Sequence, residues 1–327
     1  SSPRATATLQ YAAAAKGIPS PSAPEPRVAT IRGGGAMTAR RSWIYAWLFL
    51  SPATILLIAF THYPAALTVW DSFFSTPRGR RPAKFVGLEN YEKLLADEQF
   101  WQVLGNNAWY ALLTIPLSIV LALAMALWVN ERLRGRAFLR MAYFTPTVLP
   151  LIAVANIWMF FYTPGFGLID QVTGLFGLPR WNWLGDPATA LNALIVVAVW
   201  KEAGFFMIFY LAALQTVPPN LREAAAIEGA GRWTYFRRVL FPLLMPTTLF
   251  VLVNAVINAI RLVDHVFVMT EGGPDNATAL LLFYVYETAF RFWDTAYAST
   301  LTVVILLILG VAAIGQFVLL DKRVHYR

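Results

Sequence analysis

Polar side chains interrupt one of the most apolar parts of the sequence at helical spacing. Asn254, Asn258 and Arg261 follow one another by four and three residues, so they lie near one face of a helix. Amide groups can hydrogen-bond a hydroxyl-rich solute such as a sugar, and a guanidinium suits a phosphorylated one. The same residues also suit a structural role, in which the amides join helices and Arg261 reaches the membrane boundary. Both interpretations remain open at this stage, and the three residues are candidates for a substrate path.

A second polar pair, Lys201 and Glu202, lies in the middle of another apolar stretch. Adjacent helical residues do not face each other, so the two side chains are poorly placed to form an ion pair together. Lys201 is a further candidate for the substrate path. The competing interpretation is that both side chains pair with other helices of the same bundle.

Other kinds of chemistry lack the residues they need. The chain has no Cys, and its three His residues, His62, His265 and His325, show no metal-ligand spacing. No G-x-x-x-x-G-K-[ST] loop is present, so the chain is not expected to bind or hydrolyse ATP. No clustered acid, base and nucleophile suggests an enzyme. We therefore expect no cofactor and no catalytic residue.

The elements that position these polar residues are apolar stretches long enough to cross a membrane. About 20 residues of helix span the hydrocarbon core. Six stretches meet that length: 43–63, 107–129, 141–162, 188–214, 243–263 and 296–320. The sequence therefore predicts an all-α, polytopic membrane protein with six transmembrane helices.

Composition supports the same fold class. Hydrophobic residues make up 58% of the chain and charged residues 13%, about half the charged share of a soluble domain. The net charge of +8 comes from short basic loops rather than from one basic patch, which argues against nucleic-acid binding.

The basic residues also predict the orientation. With the N-terminus inside, thirteen Lys and Arg residues flank the spans on the cytoplasmic side and seven lie outside. This bias predicts both termini on the cytoplasmic side of the membrane. A cluster at 78–84 in the first outer loop, 64–106, is the discordant feature. The same loop carries an amphipathic run in which Leu88, Tyr91, Leu94 and Leu95 recur at helical spacing.

Residues 1–36 are expected to form a disordered extension outside the six-span region at 37–327. They are rich in Ala, Pro, Ser and Gly and cannot bury enough apolar surface to fold. Met37 is a plausible natural start.

The segment 219–242, between the fourth and fifth stretches, predicts a bent pair of short helices. Pro218 and Pro219 end the fourth helix, and a new helix is expected over 220–228, ending at Gly229. A second is expected over 232–240, up to Pro242, with an apolar face of Trp233, Phe236, Val239 and Leu240. A helix lying in the lipid headgroups would explain the basic and apolar faces, but not the acidic residues or the sharp turn.

This segment resembles the EAA loop of binding-protein-dependent ABC importers. The match consists of Glu223, Ala224, Ala225, Glu228, Gly229, Ala230, Phe236 and Pro242 at the family's spacing. Glu228 stands where Asp is usual, and Phe241 where Leu is usual. Similar family patterns are Phe85–Tyr91, Trp200-Lys201, Leu214-Gln215 and Thr270–Pro274. Together they resemble the carbohydrate-uptake branch, in particular the first permease subunit of sn-glycerol-3-phosphate and oligosaccharide importers.

The resemblance implies a function and a set of partners. The 219–242 loop would form coupling helices that fit a groove of a cytoplasmic ATP-binding subunit, present as a dimer, with Trp233 and Glu223 at the contact. The chain would provide half of a translocation pathway beside a second, homologous permease in the lipid membrane. An extracytoplasmic solute-binding protein would meet loops 64–106, 163–187 and 264–295 and deliver a sugar or polyol phosphate.

The main alternative is a stand-alone secondary transporter for a polar solute. Such proteins usually contain internal repeats and discontinuous helices, and no repeat is visible in this sequence. That alternative also leaves the 219–242 loop without a role.

Overall fold

The computed structural model describes residues 35–131, 135–177 and 179–320, and these form helices almost throughout. Their β pairing consists of two isolated bridges, Phe74 with Phe85 and Arg78 with Arg81. The extension predicted at 1–36 lies outside the described residues, except for its last two positions. The chain divides into two compact units, residues 1–62 and 63–327.

In the first unit, helix α1 (Gly35–Leu57) is followed by a π turn, Ile58–His62. Large apolar side chains such as Trp47, Phe49 and Phe60 are exposed along it. A helix that exposes apolar side chains in this way suits a lipid environment.

The second unit contains the remaining helices. In chain order they are α2 (Tyr63–Asp71), α3 (Glu89–Leu95), α4 (Glu98–Asn130), α5 (Arg136–Val148), α6 (Leu151–Phe161), α7 (Leu168–Leu175), α8 (Pro187–Thr216), α9 (Asn220–Ile227), α10 (Arg232–Tyr235), α11 (Phe241–Arg261), α12 (Asp264–Met269), α13 (Leu281–Tyr286) and α14 (Thr295–Leu320). Two further π turns are Phe236–Leu240 and Glu287–Arg291.

Five helical segments of the described chain are long and apolar enough to cross a membrane: Trp43–Asp71, Glu98–Asn130, Pro187–Thr216, Arg232–Met269 and Thr295–Gln316. They correspond to predicted spans one, two, four, five and six. The bent pair α5 and α6 makes a sixth span if it is counted as one. The predicted fold class is therefore confirmed.

The third span differs from its prediction as a continuous helix over 141–162. α5 and α6 meet at an angle of 103°. Pro150 disfavours a helical conformation at Leu149, which is extended at φ −73° and ψ 137°. The carbonyls freed at the break are satisfied from α8, because Lys201 Nζ donates to the carbonyls of Pro146 at 3.1 Å and Leu149 at 2.6 Å.

The second helix of the 219–242 loop also differs from its prediction, because it does not end before Pro242. It continues through the π turn Phe236–Leu240 into α11. A proline inside a regular α-helix clashes with the carbonyl four residues earlier, here that of Arg238. The wider π turn changes the hydrogen bonding at this point, and the Phe241 N–H donates to the Phe236 carbonyl.

The core of the second unit consists of two hydrophobic clusters stacked along α4, α8 and α11. One contains Tyr110, Leu194 and Ile260, and the other contains Phe206 and Leu244. Between the two clusters the same three helices contribute polar residues to a shared layer: Thr114, Ser118, Lys201, Glu202 and Asn258.

The amphipathic run in the loop between the first two spans forms helix α3, as predicted. Leu94 is buried, whereas Leu88 and Leu95 are exposed. The loop is shorter than the predicted 64–106, because α2 extends to Asp71 and α4 begins at Glu98.

Candidate functional site

The 219–242 loop begins where α8 ends at Thr216. Val217 is extended, and Pro219 directly precedes α9 with helical angles of φ −64° and ψ −27°. Proline is favoured at a helix start because its missing N–H has no partner to lose there. α9 ends at Ile227, one residue before the predicted end.

A Schellman turn at Gly229 reverses the chain after α9. Gly229 has φ +72°, the Gly229 N–H donates to the Ala226 carbonyl at 3.1 Å, and the Ala230 N–H donates to the Ala225 carbonyl at 2.9 Å. These two bonds satisfy carbonyls that the helix end leaves free. The left-handed φ explains why glycine suits this position. The hinge predicted from sequence is therefore a defined, hydrogen-bonded turn.

The loop has two arms: the first is α9, and the second is α10 with the π turn that follows it. In the second arm, part of the predicted apolar face is buried and part is exposed. Leu240 is buried, and Phe236 is half-buried and stacks on Trp233 with ring centroids 5.5 Å apart. Trp233 itself is 69% exposed. An exposed tryptophan on a short, ordered helix is typical of a surface that binds another protein.

The first arm also presents an apolar side chain outward. Ile227 is 87% exposed, beside exposed Glu223 and Glu228, while Ala225 is buried against the rest of the chain. The pattern of candidate residues did not include Ile227, since its position varies in the motif. Its large apolar side chain at the end of a short helix, after three alanines, was the available signal.

A cleft of about 690 Å³ lies beside the loop. It is lined by Leu127 on α4 and by Glu131, which directly follows α4. The loop contributes Arg222, Arg232 and Trp233. The two arms of the loop and the end of α4 therefore share one concave surface.

Two of the four candidate substrate-path residues are engaged inside the second unit. Lys201 binds the carbonyls at the α5–α6 break, and Asn258 Nδ2 donates to the carboxylate of Glu202 at 2.6 Å. A second bond between the same helices joins the Tyr210 hydroxyl to Thr248 Oγ1 at 3.2 Å. Two side-chain hydrogen bonds therefore join α8 to α11, the helices on either side of the 219–242 loop.

The other two candidates lie differently. Asn254 is half-buried, and its Nδ2 donates to the Phe250 carbonyl of its own helix at 2.8 Å. Arg261 is exposed at the end of α11, where the helix dipole favours a cation. The structure therefore does not bring all four candidates into one site.

A polar cluster at the other end of the bundle was missed by sequence reasoning. Asp294 accepts hydrogen bonds from Lys93 Nζ at 2.8 Å and Thr76 Oγ1 at 2.6 Å, and Asp97 accepts one from the Tyr284 hydroxyl at 2.6 Å. Both carboxylates precede helices, which was the only available signal.

Two opposing effects set the pKa of each of these carboxyl groups. Partial burial raises the pKa of Asp97, but hydrogen bonds from Tyr284, Tyr297 and the backbone outweigh it and leave the pKa below its ordinary value. Burial likewise raises the pKa of Asp294, and bonds from Lys93, Thr76 and the Tyr297 N–H lower it further than burial raises it. Both groups are therefore stabilised as carboxylates.

Comparison with known families gives a match over residues 115–326 to the binding-protein-dependent transport system inner membrane component. The sulfoquinovosyl glycerol transport system permease protein SmoG of Agrobacterium fabrum is 34% identical, over 80% of this chain and 85% of that protein. The trehalose/maltose permease MalF of Thermococcus litoralis is 34% identical, over 74% and 83%. The sn-glycerol-3-phosphate permease UgpA of Agrobacterium fabrum is 30% identical, over 86% and 97%.

Solved structures show the same fold. A chain of a bacterial ABC transporter that imports the acidic polysaccharide alginate superposes with a TM-score of 0.76 at 22% identity, over 88% of this chain and 98% of that chain. These findings confirm the resemblance seen in the sequence. They identify a transport component rather than an enzyme, in a multi-pass inner-membrane family. The chain belongs to the binding-protein-dependent transport system inner membrane component family, the permease subunits of ABC importers.

Proposed function

We propose that the 219–242 loop is the surface through which this permease binds its ATP-hydrolysing subunit. The observation that carries the proposal is the outward exposure of Ile227 and Trp233 on two ordered arms joined by the turn at Gly229. Exposed apolar side chains bordered by Glu223 and Glu228 suit the centre and rim of a protein interface. The small side chains of Ala224 and Ala230 leave room around the exposed apolar residues for the partner. Pro242 lies where the loop joins α11.

The hydrogen bonds between α8 and α11 couple this contact mechanically to the membrane-spanning helices. A rigid loop fixed to two joined helices transmits a movement of the partner as a rigid body. The Glu202–Asn258 and Tyr210–Thr248 hydrogen bonds hold those two helices together. Closure of the ATPase dimer would therefore move α8 and α11 as one element.

In this proposal the loop and both termini face the cytoplasm, and an extracytoplasmic solute-binding protein meets the opposite side. The excess of basic residues flanking the spans on the loop side supports that orientation. A second, homologous permease completes the pathway.

The proposed solute is a small sugar or polyol phosphate. The named solutes of the relatives are sulfoquinovosyl glycerol, trehalose or maltose, and sn-glycerol-3-phosphate. Asn254 and Arg261 are the preferred path residues, because Lys201 and Asn258 are bonded to other helices, whereas the bond of Asn254 stays within its own helix. A guanidinium at Arg261 suits an anionic solute.

Reconstitution of the full chain tests the proposal. Vesicles would contain the chain with the second permease and the ATPase encoded beside it, and uptake of labelled sn-glycerol-3-phosphate, maltose and sulfoquinovosyl glycerol would be measured with the cognate binding protein. We expect uptake of one of these classes only with ATP and the ATPase present. Uptake that persists without the ATPase would instead identify a stand-alone secondary transporter.

A further inference from the structure

Three buried polar atoms of the second unit have no hydrogen-bond partner among the described residues and belong to residues that line one cavity. They are Thr114 Oγ1, Ser118 Oγ and His265 Nδ1. All three residues are more than nine-tenths buried, with exposed fractions of 5%, 0% and 1%. Native proteins rarely leave buried polar atoms unpaired, so this concentration at one point requires an explanation.

The two hydroxyls differ from several other helical hydroxyls of the described chain, although Thr147 Oγ1 on α5 is also unpaired. Thr145 and Thr302 donate to the carbonyl one turn earlier, at 2.7 Å and 2.8 Å. Thr114 and Ser118 make no such bond, although each has a carbonyl at the same position of α4. They lie one turn apart, so both are on the face of α4 that borders the cavity.

The other walls of the cavity supply an acceptor and a further ring nitrogen. Glu202 lies there with one carboxylate oxygen bonded to Asn258, and a carboxylate can accept several more hydrogen bonds. The Tyr110 hydroxyl is 3.1 Å from His265 Nε2, which leaves Nδ1 for another partner. Donors and an acceptor therefore meet around one space.

The cavity is small. Its volume is about 10 Å³, roughly the size needed for one water molecule. A sugar or a phosphate does not fit in this space. Lys201 and Glu202 already bring one charge of each sign to the wall, so a neutral ligand leaves the local charge balanced.

We propose that this cavity is a binding site for one water molecule that joins α4 to α8, and to α11 through the Asn258–Glu202 hydrogen bond. The water accepts from the hydroxyls of Thr114 and Ser118 and donates to the carboxylate of Glu202. It therefore completes the polar layer between the two hydrophobic clusters. The cavity is not lined by Asn254 or Arg261, the preferred path residues, or by residues of the 219–242 loop.

Substitutions that remove a hydroxyl while keeping the volume test the proposal, because the sign of their effect depends on whether water is bound. Thr114→Val and Ser118→Ala would be compared in the full chain, in lipid nanodiscs, by thermal unfolding. A hydroxyl that binds water contributes a hydrogen bond, so we expect each variant to lower the Tm by a few degrees. A hydroxyl facing a dry cavity is an unpaired polar group, and its removal would leave the Tm unchanged or raise it, which would overturn the proposal.

Thr302→Val is the matched control, because its hydroxyl bonds only its own helix. We expect a smaller fall in Tm for this variant than for Thr114→Val. An experimental map that shows ordered waters should contain one beside Glu202 and lose it in Ser118→Ala.

A sodium ion is the competing ligand. A Tm of the wild type that rises when choline is replaced by sodium would overturn the assignment to water. None of these measurements involves the ATPase, so their failure would leave the proposed function untouched, and failure of reconstituted transport would not affect them.

Discussion

The 219–242 loop and the polar layer of the core break the apolar pattern of this protein in opposite ways. The loop places large apolar side chains, Ile227 and Trp233, on the outside. The layer places polar side chains, Thr114, Ser118 and Glu202, on the inside. A buried polar group is unfavourable unless it finds a hydrogen-bond partner, and an exposed apolar surface is unfavourable unless another surface covers it.

The difference between the two regions lies in what compensates. In the layer, most of the polar groups are paired within the same chain. Asn258 donates to Glu202, and Lys201 donates to the carbonyls at the α5–α6 break. In the loop, no described part of the chain covers Ile227, and in the proposed function the ATPase subunit supplies the covering surface. Substitutions in the loop should therefore change function with little effect on folding, and substitutions in the layer should change stability.

The largest effect is expected for Ile227→Glu, which places a charge at the centre of the proposed interface. Loss of a central contact costs about 2 kcal/mol or more of binding free energy, or roughly a 30-fold loss of affinity for the ATPase subunit. Co-purification of the ATPase and ATP-driven uptake measure the effect. Leu175→Glu is the matched control for co-purification of the ATPase only, because Leu175 is 84% exposed on α7, away from the 219–242 loop, but lies in the 163–187 loop that the solute-binding protein would meet. Equal losses in both variants would remove the distinction between the loop and the rest of the surface.

The next largest effect is expected for Gly229→Val. An L-residue at φ +72° is strained by about 1–2 kcal/mol, and more for a β-branched residue, so the turn between the two arms should open. We expect uptake to fall while the amount of chain in the membrane stays unchanged.

Gly231→Val controls for added bulk at the same turn. An added Cβ meets no atom within 4 Å at either glycine, but Gly231 has an ordinary φ of −66°. Its uptake should therefore be close to that of the wild type. A similar loss in Gly231→Val would show that bulk, rather than backbone conformation, limits the contact.

A smaller effect, on stability, is expected for Lys201→Met. The substitution removes the donor to two carbonyls at the α5–α6 break, one in a part-buried bond and one in an exposed bond. A fully buried carbonyl left unpaired costs about 1–3 kcal/mol, so the expected loss lies toward the lower end of that range. Thermal unfolding should show a lower Tm, and Lys201→Arg should restore part of it. An unchanged Tm in Lys201→Met would mean that the break is held without this side chain.

The smallest effect is expected for Asp97→Asn, and it should depend on pH. The folded pKa of Asp97 lies below its ordinary value, so the carboxylate contributes stability that is present above that value and is lost as the pH falls through the folded pKa. At neutral pH the variant should have the lower Tm. The difference from the wild type should shrink in acid, and a difference that stays constant with pH would exclude an ionic contribution from this group.

The first arm of the 219–242 loop shows how far sequence reasoning reaches. Pro219 and Gly229 are local signals, because one sets the start of a helix and the other permits the turn that ends it. The helix between them was therefore predicted to within one residue. The same local chemistry could not show that Ile227 is exposed, since exposure depends on which neighbours the fold brings near.

The third span and Pro242 mark where local reasoning failed. Hydropathy over 141–162 measures only solubility in lipid, and it is the same for a straight helix and for one broken at Pro150. Pro150 disfavours a helical conformation at Leu149, and Lys201, about fifty residues away in the sequence, donates to the freed carbonyls. At Pro242 a π turn accommodates a proline that would otherwise end the helix.

The sequence by itself determined the membrane fold class, the number of candidate spans and the position of the 219–242 loop, because hydropathy, proline and glycine act over a few residues. Only the tertiary structure decided which partners the polar side chains bind. Lys201, Asn258 and Glu202 find partners on other helices, and those distances are set by packing rather than by spacing along the chain.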